Sequence, residues 1–413
     1  MDKNNQKNKR INYAETNYDQ EEINSVVDVL ENHSLSLVGG QKTKDFESKV
    51  SKLFGKRYGI FVNSGSSANL LALTSLSLPR GSEVITPCLN FSTTVAPLIQ
   101  LGLIPNFIDI ELRTLNIDSN LIEEAINENT SALMIPNLMG NLPNWNRIKE
   151  IAVKYSLPII EDSADTIGYK YNKESTGKIS DLVTTSFYAS HIITCAGIGG
   201  MVCTNDFELY KNIIIKRGWG RSSELFDPDK NLLSKKEIDE RFEIEIDNIS
   251  YDRKFLFEEP GYNFFAPEIC AAFGCKQLDK FNGFYKKRVT NFNYLKNLVE
   301  NKLSDYIITP IQSENVDTIW LAYPLILKNM DPSKSRNTLQ KFLEERNVQT
   351  RPIFSGNITK QPMMKNHKFI SNKNGYKDTD FIMRNGMLLG CHPKLSFSDL
   401  DYICGLLEEF FIE

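Results

Sequence analysis

The chain has 413 residues, with 48 basic and 52 acidic side chains, so its net charge is −4. That length exceeds what one hydrophobic core usually holds, and 41% hydrophobic with 24% charged residues excludes a disordered or fibrous chain. The mild acid excess argues against nucleic-acid binding, no apolar run reaches the roughly 18 residues of a membrane span, and seven scattered cysteines suggest a reducing cytoplasm rather than a disulfide framework.

The Lys/Asn-rich stretch 1–10 lacks the apolar segment of a signal peptide and is expected to be a frayed tail. A helix is expected over 19–32, where Ile23, Val26, Val27 and Leu30 recur at helical spacing. Helices and short apolar strands then alternate: helix 45–54 and strand 58–62, helix 68–76 and strand 83–86, helix 94–100 and strand 106–110. The same rhythm continues with helix 121–126 and strand 132–136, then helix 145–155 and strand 158–161. Continuously apolar strands separated by helices imply a buried, mostly parallel sheet, with ligands at the carboxyl ends of its strands. Residues 217–260 are charged and irregular, which reads as an insertion or flap. A long helix over 267–302 leads to a small α+β region with a strand at 318–323, a helix at 339–346 and a last helix from 398. The expected division is a large domain over 1–285 and a small one over 286–413.

Three segments that follow strands carry candidate chemistry. The run NSGSSAN at 63–69 places small residues and hydroxyls between a strand and a helix. Backbone N–H groups there can close around a phosphate, or the run is ordinary turn chemistry. In IIEDSAD at 159–165, Asp162 falls just past a buried strand. It reads either as a helix N-cap or as a carboxylate that pairs with the protonated ring nitrogen of pyridoxal phosphate. The run TSFYASHIITCAGIGG at 185–200 combines a strand start, a histidine and a glycine-rich close. Histidine is scarce in this chain (His33, His191, His367 and His392), and hydroxyl residues surround His191.

In order and spacing, these segments resemble the sugar aminotransferase family of fold-type I pyridoxal phosphate enzymes, which act on nucleotide-linked keto sugars. The resemblance extends to Gly261, Tyr262 and Asn263, and to the helix that opens at Pro267. It implies an α/β fold: a mostly parallel seven-stranded sheet in a large domain, with a small α+β C-terminal domain. Ordinary members carry a lysine where this chain has His191, so a covalent lysine–cofactor bond is impossible at this position. That departure, with Asp165, Tyr188 and the run TRPIFSGNITKQP at 350–362, is similar to the lysine-less 3-dehydratase branch. The branch includes dehydratases of GDP-4-keto-6-deoxymannose and iron–sulfur dehydratases of CDP-linked sugars. The iron–sulfur kind has a cysteine cluster after a segment like Trp219–Arg221; here Ser222 and Ser223 follow, and no cysteine lies between Cys203 and Cys270.

The resemblance implies a non-covalently held pyridoxal/pyridoxamine 5′-phosphate, L-glutamate as amine donor, and a nucleotide-linked 4-keto-6-deoxy sugar as substrate. Such deoxysugars enter lipopolysaccharide O-antigens. His191 is the implied acid–base group, since imidazole can accept and return a proton near neutral pH. Gly65, Ser66 and Ser186 would bind the cofactor phosphate, Phe91 would stack on its ring, Asp162 would meet the ring nitrogen, and Asp165 the phenolic oxygen. Asn263 would reach the cofactor of a neighbouring subunit, which implies a homodimer with shared sites. Tyr188 and Phe354 would line the sugar pocket, with Arg217, Arg221 and Arg351 as candidates for the diphosphate or as plain surface charges. Cys195 reads as a packing residue, and no metal site is expected. Alternatives are an aminotransferase working without lysine, an iron–sulfur dehydratase, and an inactive cofactor-binding scaffold.

Overall fold

The computed structural model describes residues 10–32, 37–225, 234–328 and 332–412. Residues 1–9 of the expected tail, His33, and residues 226–233 of the expected flap lie outside these.

Seven strands form the main sheet: β1 (Tyr58–Val62), β2 (Glu83–Pro87), β3 (Ile104–Ile108), β4 (Thr130–Pro136), β5 (Ile159–Asp162), β6 (Leu182–Ser186) and β7 (Gly200–Thr204). Their spatial order is β1-β7-β6-β5-β4-β2-β3. Only β7 runs against its neighbours; the pairings among β2 to β6 are parallel. Helices cover both faces. Phe46 and Val50 of α2 (Gln41–Leu53) and Trp145 and Ile148 of α5 (Trp145–Tyr155) pack with Phe61, Leu133, Ile159 and Val183. On the other face, Leu71 of α3 (Gly65–Ser75), Leu98 of α4 (Ser92–Gln100) and Ile213 of α6 (Phe207–Arg217) pack with Ile60, Ala132, Ile160 and Leu182. Alternate residues of one strand thus serve two cores, so the strands read as continuously apolar.

Helix α8 (Glu268–Leu303) is 36 residues long. Cys270, Ala271 and Phe284 in its first half belong to the large-domain core. Phe292, Leu295 and Val299 in its second half belong to the small-domain core. The boundary expected at 285/286 falls inside this helix. The small domain has four antiparallel strands, β8 (Ile307–Ile308), β9 (Tyr323–Leu327), β10 (Arg351–Pro352) and β11 (Gly386–Leu389), in the order β8-β9-β11-β10. Among the described residues no helix is long and apolar enough to cross a membrane.

Several expectations are corrected. The segment from Thr185 is the end of a strand, not its start; β6 stops at Ser186 and turns follow. The strand expected at 318–323 begins only at Tyr323. Before it the chain is tied to the large domain: Leu321 N–H donates to the Met139 carbonyl at 3.0 Å, and Tyr169 Oη donates to the Ile319 carbonyl. The stretch read as irregular contains a helix, α7 (Lys235–Phe242), opened by a Ser234/Glu237 capping box, and a hairpin, Ile244–Ile246 with Ile249–Tyr251. No residue of that helix is buried, so it leaves no apolar period to read. Helix α1 (Gln20–Asn32) turns Glu22, Ser25 and Val29 inward and leaves Ile23, Val27 and Leu30 exposed. Glu22 is drawn in by Gln277 Nε2 at 2.7 Å and Lys280 Nζ at 2.6 Å.

Candidate active site

The carboxyl ends of β1, β4, β5 and β6 open into a cavity of about 550 Å³, closed on its far side by Arg351, Pro352, Phe354 and Leu388 of the small domain. Helix α3 begins three residues earlier than expected. Ser64 is its N-cap, with Oγ accepting from Ser67 N–H at 3.1 Å. The first N–H groups of the helix, those of Gly65 and Ser66, have no intrahelical carbonyl to bond at its positive end, and both residues line the cavity. Close packing requires glycine here: a Cβ on Gly65 would lie 2.6 Å from Ser186 Cβ, and one on Gly200 would lie 2.2 Å from the Ser64 carbonyl oxygen.

Asp162 ends β5 and is 6% exposed. No helix follows it, so the N-cap reading is set aside. Its carboxylate accepts from Thr94 Oγ1 (2.7 Å), Asn69 Nδ2 (2.8 Å) and Ala164 N–H (3.2 Å). Burial raises this carboxyl above its ordinary range, and those three donors act the other way. All three are neutral, which leaves a buried anion suited to a cationic donor. Asn69 and Thr94 were not singled out from sequence; Asn69 closes the run at 63–69, whereas nothing local marks Thr94.

Asp165 accepts from Met139 N–H at 3.1 Å, and burial pushes its carboxyl up to about 7, with the Asp162 charge adding to the effect. His191 Nδ1 lies 2.5 Å from the Ala164 carbonyl and 3.8 Å from Asp165 Oδ1. A carbonyl only accepts, so Nδ1 carries the hydrogen and Nε2 keeps the lone pair. Burial lowers the imidazolium to about 4, and the Arg288 charge acts in the same direction. The free ring is therefore neutral well below pH 7, whereas its residue type alone suggests titration near neutrality. Beneath the site, Glu161 is fully buried and accepts from Asn137 Nδ2 (2.9 Å) and Ser163 Oγ (2.7 Å), which fixes the turn that carries Asp165.

Phe91 and Phe354 face each other edge-to-face at 6.5 Å. Tyr188 stands exposed at the rim, and Ser186 lines the cavity below it, its Oγ accepting from Tyr188 N–H at 3.3 Å. Tyr13, absent from the sequence-based candidates, also lines the cavity.

Three candidates are not brought to this cavity. Arg217 is buried, bonded to Glu47 Oε1 (3.3 Å) and the Phe61 carbonyl (3.0 Å), so it neutralises an internal carboxylate instead of binding a ligand. Arg221 pairs with Glu224 at 2.5 Å and lies 4.3 Å over the Trp219 ring, away from the cavity of its own chain. Asn263 is exposed and outside the cavity. Cys195 is fully buried in the core. Among the described residues no group of three or more His, Cys, Asp or Glu side chains is arranged to hold a metal ion.

The sheet order, the small C-terminal domain and a cavity at the strand ends define an aminotransferase-type α/β enzyme fold. The model of the DegT/DnrJ/EryC1/StrS aminotransferase family matches residues 16–408, and the chain belongs to that family. It is 37% identical to the lipopolysaccharide biosynthesis protein RfbH of Salmonella typhimurium, over 91% of this chain and 86% of that protein. It is 31% identical to the GDP-4-keto-6-deoxy-D-mannose 3-dehydratase of Escherichia coli O55:H7, over 96% of this chain and the whole of that one. Among solved structures, the E. coli GDP-4-keto-6-deoxy-D-mannose-3-dehydratase with bound hydrated PLP superposes with a TM-score of 0.84 at 29% identity, covering 97% of this chain and 100% of that chain.

Proposed function

We propose that this protein is a pyridoxamine-phosphate-dependent 3-dehydratase of nucleotide-linked 4-keto-6-deoxy sugars, with glutamate restoring the amine form of the cofactor and His191 as the acid–base group. The observation that carries this reading is that no lysine lines the cavity among the described residues, and an imidazole stands there instead. A lysine would capture the cofactor covalently and favour plain transamination.

The residues present fit the cofactor. The N-terminus of α3 at Gly65 and Ser66 suits a phosphate, and Gly65 lets Ser186 pack close enough to bring its hydroxyl to the same end of the cavity. Asp162, buried with only neutral donors, suits a protonated ring nitrogen, and Phe91 suits the ring face. Bound there, pyridoxamine phosphate supplies a primary amine for the C4 ketone of the sugar and an electron sink. Nε2 of His191 takes up a proton and gives one to the departing C3 hydroxyl, while the Ala164 carbonyl holds the ring in the required tautomer. Asp165, whose carboxyl burial raises to about 7, would exchange a hydrogen bond with the phenolic oxygen. Arg351 is a guanidinium at the small-domain wall, suited to the diphosphate, with Tyr188 and Phe354 beside the sugar.

A homodimer belongs to this proposal. The exposed stripe Ile23, Val27 and Leu30 on α1 supports an apolar interface, and Asn263, outside its own cavity, is free to serve a neighbour's cofactor.

The test is mass spectrometry of products after incubation with glutamate, pyridoxal phosphate and GDP-, CDP- and UDP-linked 4-keto sugars. The expected product lacks the C3 hydroxyl, with ammonia and 2-oxoglutarate released. An amine retained on the sugar makes the protein an aminotransferase; an absolute need for an electron-transfer partner makes it an iron–sulfur enzyme. His191→Asn should still bind pyridoxamine phosphate but lose about 10²–10⁴-fold in dehydration.

A further inference from the structure

Residues 11–17 belong to neither sheet and cross from one domain to the other. At one end, Ile11 N–H donates to the Asn347 carbonyl (2.8 Å) and Gln349 N–H donates to the Ile11 carbonyl (2.9 Å). At the other, Thr16 Oγ1 donates to the Ala189 carbonyl (3.1 Å), two residues before His191, and Gln277 Nε2 donates to the Asn17 carbonyl (2.9 Å). The strap lies so close to β11 that a Cβ on Gly390 would come within 2.7 Å of the Asn12 carbonyl oxygen and 2.9 Å of that of Tyr13.

Between these ties, Tyr13 N–H donates to Gln349 Oε1 at 2.9 Å, and the side chain lines the cavity. Its ring lies under the Arg351 guanidinium, 5.8 Å from the centroid. Among the described residues its hydroxyl has no hydrogen-bond partner. Burial raises this phenol far above its ordinary range, with the Asp165 charge adding to the effect, so it stays protonated and offers a donor. A polar group held on a cavity wall by such a strap, yet left unpaired by the protein, is available to a ligand.

We propose that Tyr13 is a sugar-recognition residue whose hydroxyl donates a hydrogen bond to an oxygen of the nucleotide-linked sugar. This rests on the function proposed above. Ser66 and Ser186 line the phosphate end of the cavity, whereas Tyr13 lies under Arg351 of the small domain, with the Asp165 carboxyl the cofactor-side group whose charge reaches its phenol. Glutamate carries no sugar oxygen for the phenol to read, so the two half-reactions should respond differently.

The experiment compares Tyr13→Phe with wild type; phenylalanine keeps the ring under Arg351. Conversion of the bound cofactor by glutamate, followed by absorbance, should stay within about twofold. Consumption of the nucleotide sugar by the pyridoxamine-phosphate form should fall about 5- to 10-fold in kcat/KM, chiefly through KM, the loss expected of one neutral hydrogen bond. Unchanged sugar kinetics overturn the proposal, and so does an equal fall in the glutamate half-reaction, which would place Tyr13 at the cofactor. If wild type consumes no nucleotide sugar, the proposed function has failed in its own control. Equilibrium binding of GDP-, CDP- and UDP-linked 4-keto sugars then decides for Tyr13: a Kd weakened in the variant supports it. A Kd equal in both proteins, or no binding by wild type, overturns it.

Discussion

Replacing Asp165 by asparagine should stabilise the cofactor-free protein, and increasingly so as pH rises. Asp165 is 6% exposed, and its carboxyl is raised from 3.8 to about 7. A carboxyl raised in the folded state contributes stability that is complete below its unfolded value and is lost as pH climbs through the folded value. Above pH 7 the loss amounts to about 4 kcal/mol, and at pH 5 to about 1.5 kcal/mol, at 1.36 kcal/mol per unit. Asparagine has no charge to bury and still offers an oxygen to Met139 N–H. The gain in unfolding free energy over wild type should therefore widen by about 2.5 kcal/mol between pH 5 and pH 8. Urea unfolding of both apo proteins at several pH values, followed by tryptophan fluorescence, measures this. A gain that does not change with pH, or a variant less stable at pH 8, would refute the reasoning.

Asp162→Asn should weaken binding of pyridoxal phosphate by 30-fold or more, since a desolvated charge-paired hydrogen bond contributes at least about 2 kcal/mol; spectrophotometric titration showing an affinity within threefold of wild type would contradict this. Gly65→Ala forces its new methyl group against Ser186 Cβ, and the same titration should show cofactor affinity reduced by about fivefold or more, for a strain of about 1–3 kcal/mol. Arg217→Met should lower unfolding stability by about 3–5 kcal/mol, because it strands the Glu47 carboxylate, while KM for the nucleotide sugar stays near wild type. A raised KM with intact stability would return Arg217 to the list of substrate ligands.

What sequence reading reached and what it missed divide along one physical line. The strands were legible because Ile60, Phe61 and Val62, or Ala132 and Leu133, are apolar on both faces, a local pattern. His191, Asp162 and Ser186 were legible as cavity-lining positions because each sits in a short run at or just past the end of a strand. Thr94 was not, since its role is a hydrogen bond to a residue 68 positions away. Arg217 was misread for the same reason: Glu47, 170 positions earlier, claims it. Helix α1 has a correct period but the opposite orientation, because Lys280 and Gln277 draw Glu22 inward and turn the apolar stripe to solvent. Tyr13 lies in a strap without regular structure, where no periodicity marks a side chain as facing a ligand.

The path of α8 has a mechanical consequence. At about 1.5 Å per residue its 36 residues span roughly 54 Å, and both hydrophobic cores are built on it. An unbroken helix has no backbone hinge at the junction it crosses. The distance between the wall carrying Asp162 and His191 and the wall carrying Arg351 and Phe354 is thus set by a stiff rod before any ligand arrives. Such a cleft acts as a gauge of length: a molecule that touches both walls must bridge a gap whose span the rod sets.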